Sequence, residues 1–216
     1  MRICLICRVM ALACTAQCAP ALADDGRFSL GLRGVITVAD GEPANDIPGF
    51  GVLAHLPINE RWNVGIGLDR TEYDFEQPAR LIGIAQDPAL EPIDVVAEAT
   101  VLSGWFERTL NPGTRHPTTW FVGAGLGAAF VDVPDASGPR EDGGQFNIQT
   151  RADTEIIIFA LAGLRRRLGE RWYLEFAVRA DQHFADWQML DQLSGASGSI
   201  DDYLALGGYL AAGLTW

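Results

Sequence analysis

Six charged side chains interrupt stretches that otherwise alternate apolar and small residues: Arg33, Asp69, Glu98, Glu175, Arg179 and Asp181. A charge in such a setting is costly unless an opposite charge answers it, so the chemistry on offer is ion pairing in an enclosed space. Arginines and carboxylates brought together there would form a network that fixes register and blocks passage. Catalytic chemistry has less to work with. His183 follows Asp181 by two positions and precedes Ser194, Ser197 and Ser199, which puts the parts of a Ser-His-acid site in one region. His55 and His116 stand in unrelated contexts. Beyond the first 18 residues no Cys/His metal spacing occurs. Gly123-x-Gly125-x-Gly127 has its third glycine one residue early for a dinucleotide loop, and alternation continues where a helix should start. The expectation is therefore no catalytic residue, no metal and no cofactor.

The elements that must position these charges begin after a leader. All four cysteines, Cys4, Cys7, Cys14 and Cys18, lie near the start, with Arg2, Arg8 and an apolar stretch from Val9. Ala21-Leu22-Ala23 then precedes Asp24-Asp25. A basic start, a short apolar centre and a small-x-small site describe a cleaved secretory peptide over 1–23. A lipoprotein acylated at Cys14 would instead have an apolar centre of only five residues, Val9 to Ala13. Removing 1–23 leaves 193 residues without cysteine and moves the formal charge from −12 to −14. So acidic a chain offers nucleic acid no basic face. Its 48% hydrophobic content excludes disorder, yet no later run reaches the roughly 18–20 apolar residues of a membrane helix.

Residues 24–216 alternate with a period of two in eight stretches, as half-buried strands do. Phe28, Leu30, Leu32, Ile36 and Val38 oppose Ser29, Gly31, Arg33 and Thr37. Phe50, Val52, Ala54 and Leu56 oppose Gly49, Gly51 and His55; Trp62, Val64, Ile66 and Leu68 oppose Asn63, Gly65, Gly67 and Asp69. In the fourth, Val95, Ala97, Ala99, Val101 and Trp105 oppose Glu98, Thr100 and Gly104. Trp120, Val122, Leu126 and Phe130 oppose Gly123, Gly125 and Gly127. The sixth, 154–166, is apolar on both faces, and its orientation stays open. Trp172, Leu174, Phe176 and Val178 oppose Tyr173, Glu175, Arg179 and Asp181. Leu204, Leu206, Leu210, Leu214 and Trp216 oppose Tyr203, Tyr209 and Thr215.

Connections alternate in length: short near 57–61, 109–117 and 167–170, longer near 40–47, 76–93, 133–152 and 188–202. That pattern predicts an all-β fold, an eight-stranded antiparallel up-and-down transmembrane barrel, because a sheet in lipid must close to satisfy its backbone. Trp62, Trp105, Trp120, Trp172 and Trp216 fall at the short-turn ends, as an interfacial girdle requires; Trp187 falls at the other rim with Phe50, Phe75, Phe130 and Phe184. A water-soluble barrel would put long charged side chains outside, whereas the polar face here is mostly Gly, Ser, Thr and Ala. Counted from the short-turn ends, Arg33, Asp69, Glu98 and Arg179 share a mid-barrel height, with Glu175 lower and Asp181 higher. Taken with their flanking residues, as 40–47, 73–94, 132–153 and 186–202, the four long connections carry −14 between them, and the short-turn ends +4. All 16 basic residues are arginine.

The stretch Phe121-Val-Gly-Ala-Gly-Leu-Gly127 and the closing strand 203–216, ending in Trp216, resemble the small eight-stranded outer-membrane barrels of the OmpA transmembrane domain, OmpW and OmpX type. The resemblance covers 24–216. It implies residence in the outer membrane of a double-membraned bacterium, termini in the periplasm and four larger loops outside. It implies contact with outer-membrane lipid and lipopolysaccharide, and with the barrel-assembly machinery through the last strand, where phenylalanine is the usual final residue. A structural or surface-interaction role with a largely plugged lumen is expected; the loop partner is unnamed. The alternatives are a narrow small-solute channel of OmpW type and a lipid A-modifying enzyme, although the His-x-Ser pairing of the outer-membrane deacylases has no counterpart at His55, His116 or His183. Acidic loops beside anionic lipopolysaccharide would also suit bridging by divalent cations.

Overall fold

The computed structural model describes residues 27–39, 45–75, 95–112, 117–139, 144–200 and 202–216. The leader expected over 1–23 lies outside them, as do His116 and most of 40–47 and 76–93. The described residues form twelve strands: β1 (Ser29–Ala39), β2 (Asn45–Pro57), β3 (Trp62–Phe75), β4 (Val95–Thr109), β5 (Thr118–Asp132), β6 (Ala136–Pro139), β7 (Gln145–Ala152), β8 (Glu155–Leu168), β9 (Trp172–Phe184), β10 (Trp187–Asp191), β11 (Ser197–Ile200) and β12 (Tyr203–Thr215).

Eight of these close into an antiparallel barrel in the order β1-β12-β9-β8-β5-β4-β3-β2. The register can be followed once around it, from Ser29 through His55, Gly65, Trp105, Gly125, Phe159, Asp181 and Ala205. It returns to β1 at Ala39, ten residues further along. With a rise of about 3.3 Å and a strand spacing of about 4.8 Å, that stagger tilts the strands roughly 40° from the axis. Each residue then climbs about 2.5 Å.

Outward positions are apolar: Leu32, Ile36, Phe50, Ile66, Leu126, Phe130, Val178, Leu206 and Leu210 are all exposed. Inward positions hold small residues, aromatics and charges, and the glycines there have a steric cause. A Cβ at Gly65 would run into the Trp105 indole, and one at Gly67 into the Arg33 guanidinium.

The fourth strand corrects the sequence reading. Ala97, Ala99, Val101 and Trp105 of β4 face inward, while Val96, Leu102 and Phe106 face out. Both faces of β4 are apolar, so alternation alone could not tell them apart. Register decides: Trp105 pairs with Gly65 on β3 and Gly125 on β5, and those two missing side chains make room for its indole inside. The same test settles β8, where Ile156 and Ile158 point out and Ile157, Phe159 and Leu161 point in.

The stretches 133–152 and 188–202, expected as loops, carry a further four-stranded sheet in the order β11-β10-β7-β6. Each of these strands continues a barrel strand across a short break, and the neighbour order is the same as that of β12, β9, β8 and β5. Half of the wall therefore extends beyond the long-loop rim. Its inner face is apolar: Phe146, Ile148, Trp187 and Met189 are buried with Ala97 and Ala99 of β4.

Candidate functional site

The inward side chains stack in layers along the lumen. Nearest the short-turn end, Arg165 of β8 lies between two fully buried carboxylates, Glu107 of β4 and Glu175 of β9. Its Nε donates to Glu175 at 2.5 Å, while Nη1 and Nη2 reach Glu107 at 2.9 and 3.2 Å. Its guanidinium also lies over the Phe121 ring. His55 of β2 stands 3.3 Å from Glu107 and 3.2 Å from Glu175, edge-on to Trp105. Asn63 and the Trp105 indole donate to Glu107, and the Tyr209 hydroxyl donates to Glu175. Each carboxylate thus meets charge and neutral donors together, as a buried anion requires.

One layer up, Arg33 grips Asp69 in a fork, Nε to Oδ1 at 2.6 Å and Nη2 to Oδ2 at 2.5 Å. The guanidinium lies against the Tyr209 and Trp105 rings, 5.1 and 5.6 Å from their centroids. Arg179 bonds Asp181 at 2.5 Å and covers the Phe159 ring at 3.7 Å. Between these pairs remains a void of about 40 Å³, bordered by Arg33, Asp69, Arg179, Asp181, His183 and Tyr209. That is room for a few water molecules.

The top layer centres on Glu155, fully buried at the start of β8. It accepts hydrogen bonds from the Trp187 indole at 2.8 Å and the Tyr203 hydroxyl at 3.3 Å, and His183 Nδ1 lies 2.8 Å away. His183 stacks on Tyr203 and turns Nε2 toward Asp181, 4.0 Å off. Trp187 belongs to β10, so Glu155 ties the extended wall to the barrel.

Arg33, Asp69, Glu175, Arg179 and Asp181 are thus lumen residues, but Glu175 pairs with Arg165 and Tyr209 rather than with Arg33 or Arg179. Glu98 is a correction. It faces outward, half-exposed, and pairs with Arg70 of β3 at 2.5 Å. Arg70 lies eight residues above Trp62 on β3, roughly 20 Å higher, near the upper edge of an apolar band. Trp62, Trp120, Trp172 and Trp216 lie exposed on the outer face at the short-turn end, whereas Trp105 and Trp187 are buried inside. Neither buried tryptophan belongs to a girdle.

Four lumen residues escaped the sequence reading: Glu107, Glu155, Arg165 and His55's pairing role. Glu107 and Arg165 stand close to the short connections 109–117 and 167–170, where charges read as belonging to the turn ends. The signal for Arg165 was present in its parity with Ile157 and Leu161, once β8 is oriented. The serine–histidine grouping is not assembled among the described residues. The Ser194 hydroxyl donates to Asp191, which also accepts from the backbone amides of Asn147, Leu193 and Ser194. Burial would raise the Asp191 carboxyl, but those hydrogen bonds outweigh it and hold it below its ordinary value of 3.8.

The closed barrel with a charge-filled lumen defines the class: the fold is that of the small eight-stranded outer-membrane barrels. OprG from Pseudomonas aeruginosa superposes with a TM-score of 0.65 at 9% identity, covering 88% of this chain and 96% of that one. The outer membrane protein AlkL, solved in lipid bilayers, gives 0.53 at 14% identity over 92% and 95%. Neisserial surface protein A gives 0.50 at 14% identity over 88% and 95%. No protein-family model matches the chain, and no curated protein matches it.

Proposed function

We propose that this chain is an outer-membrane barrel of a double-membraned bacterium whose lumen is closed to free permeation, and that its role is structural or one of surface interaction. The observation that carries the closed lumen is the network itself. Among the described residues, Asp69, Glu107, Glu155, Glu175 and Asp181 each hold at least one charged or hydrogen-bonding partner, and the void between the Arg33–Asp69 and Arg179–Asp181 pairs has about 40 Å³. The short-turn end faces the periplasm and the extended wall stands outside. The barrel contacts outer-membrane lipid and lipopolysaccharide, and β12 is the strand the barrel-assembly machinery engages. No catalytic role, metal or nucleic acid partner belongs to this reading. Planar-bilayer recording of the refolded full chain tests it. Silence or brief, small openings are expected, and a large steady conductance would mean a channel instead.

A further inference from the structure

The outer face at the short-turn end carries arginines that no carboxylate answers among the described residues. Arg108 of β4 and Arg166 of β8 both point outward and are exposed. Neither forms an ion pair among the described residues, although the lumen arginines Arg33, Arg165 and Arg179 all do. Arg108 is held over the Trp62 ring at 5.9 Å, its partner in register on β3. Arg166 pairs in register with Thr118 of β5.

Between the two arginines stands Trp120 of β5, which is 54% exposed. Val122 is opposite Arg108 and Thr118 is opposite Arg166, so Trp120 is the diagonal neighbour of both. Diagonal neighbours on one sheet face lie about 7–8 Å apart, within reach of long side chains. The strand stagger of ten residues around eight strands raises the Arg166 side of this row, which offsets most of the four-residue step from Val122 down to Thr118 and brings the two arginines to nearly one height. The arrangement is therefore two unpaired guanidinium groups flanking an indole, at the level where the apolar band ends.

We infer that Arg108, Trp120 and Arg166 form a seat for the phosphodiester headgroup of an anionic glycerophospholipid in the periplasmic leaflet. A guanidinium binds phosphate oxygens through paired N–H donors, and its aliphatic stem stays against apolar surface while the charge reaches the wet layer. An indole suits the ester level directly beneath the headgroup. Among the described residues, the outward arginine near the opposite rim, Arg70, is already neutralised by Glu98. The inference rests on the membrane-spanning orientation proposed above.

The test uses the full chain refolded into phosphatidylcholine vesicles carrying small amounts of spin-labelled phosphatidylglycerol or spin-labelled phosphatidylcholine. The wild type should select phosphatidylglycerol several-fold over phosphatidylcholine, and added salt should weaken that selection. The R108Q/R166Q variant should bind the two lipids equally, whereas R70Q should keep the wild-type preference. Equal selection by wild type and R108Q/R166Q, or loss of selection in R70Q alone, overturns the seat. Heat-modifiable migration after insertion into phosphatidylcholine is measured in parallel. Failure of every variant to insert counts against the membrane reading, and insertion without selection counts against the seat alone.

Discussion

Replacing Arg165 by methionine tests the plug where its electrostatics are most concentrated. The guanidinium serves two fully buried carboxylates at once, Glu107 and Glu175. Methionine fills much of the same space but leaves only His55 between two anions. Breaking a buried pair by removing one partner costs about 3–5 kcal/mol, because the remaining charge has neither water nor a counter-charge. Arg70–Glu98 supplies the control. Its N–O distance is also 2.5 Å, but both side chains are about half exposed, 52% and 53%. A pair so well solvated contributes about 0–1 kcal/mol, and R70Q should cost no more than that. Two pairs of equal length should therefore separate by roughly 2 kcal/mol or more, a factor of about 30 in the folded-to-unfolded ratio. Urea titration of the refolded proteins, followed by heat-modifiable migration, reads this difference directly. A triple variant, R165M/E107Q/E175Q, should recover much of the loss, since it removes the stranded charges. If R165M falls within about 1 kcal/mol of R70Q, or if the triple variant is no better than R165M, burial does not govern the energetics of the lumen.

Three further outcomes follow from contacts elsewhere. G65A should destabilise the wild type by about 1–3 kcal/mol, because its Cβ enters the space of the Trp105 indole, and should be near neutral in a W105A background; urea midpoints of the four proteins in that cycle check it. E155L removes the carboxylate that the Trp187 indole, the Tyr203 hydroxyl and His183 share, at a cost of about 1–3 kcal/mol. Limited proteolysis should then cut within 133–153 and 185–202 while the barrel retains its heat-modifiable migration. The turn after β10 should be acid-sensitive. The folded-state carboxyl of Asp191 sits below 3.8, so its contribution is present above that value and is lost as pH falls through the lower folded one. Amide exchange at 192–195, corrected for intrinsic rates, should rise over that window in the wild type and lose this dependence in D191N.

Much of the architecture was legible in the chain because a barrel wall in lipid has two chemically different faces. Strands such as β1, β3, β9 and β12 carry mostly branched or aromatic residues at outward positions and mostly small, charged or tyrosine residues at inward ones. There, alternation alone assigned both faces, and with them the inward positions of Arg33, Asp69, Glu175, Arg179 and Asp181. The method failed where both faces are apolar. On β4 the inward Ala97, Ala99, Val101 and Trp105 are as hydrophobic as the outward Val96, Leu102 and Phe106, so a one-residue choice moved Glu98 inside and Trp105 outside. On β8, Ile156–Leu164 left the choice open, and with it the direction of Arg165. The extended wall was hidden for another reason: its strands are short and most of its outer positions are Gln, Ser and Asn, the composition of a loop.

The sequence by itself determined that the chain closes into eight strands with an apolar exterior, short turns at one end and acidic connections at the other. Those properties follow from period and composition, which are local. Which arginine meets which carboxylate was decided only by the tertiary structure. A barrel brings residues from strands far apart in the chain to one point, and the ten-residue stagger sets their heights. That geometry joins Arg165 to Glu107 and Glu175, and Arg33 to Asp69. It also places a tryptophan inside the barrel, where the absent side chains of Gly65 and Gly125 leave it space.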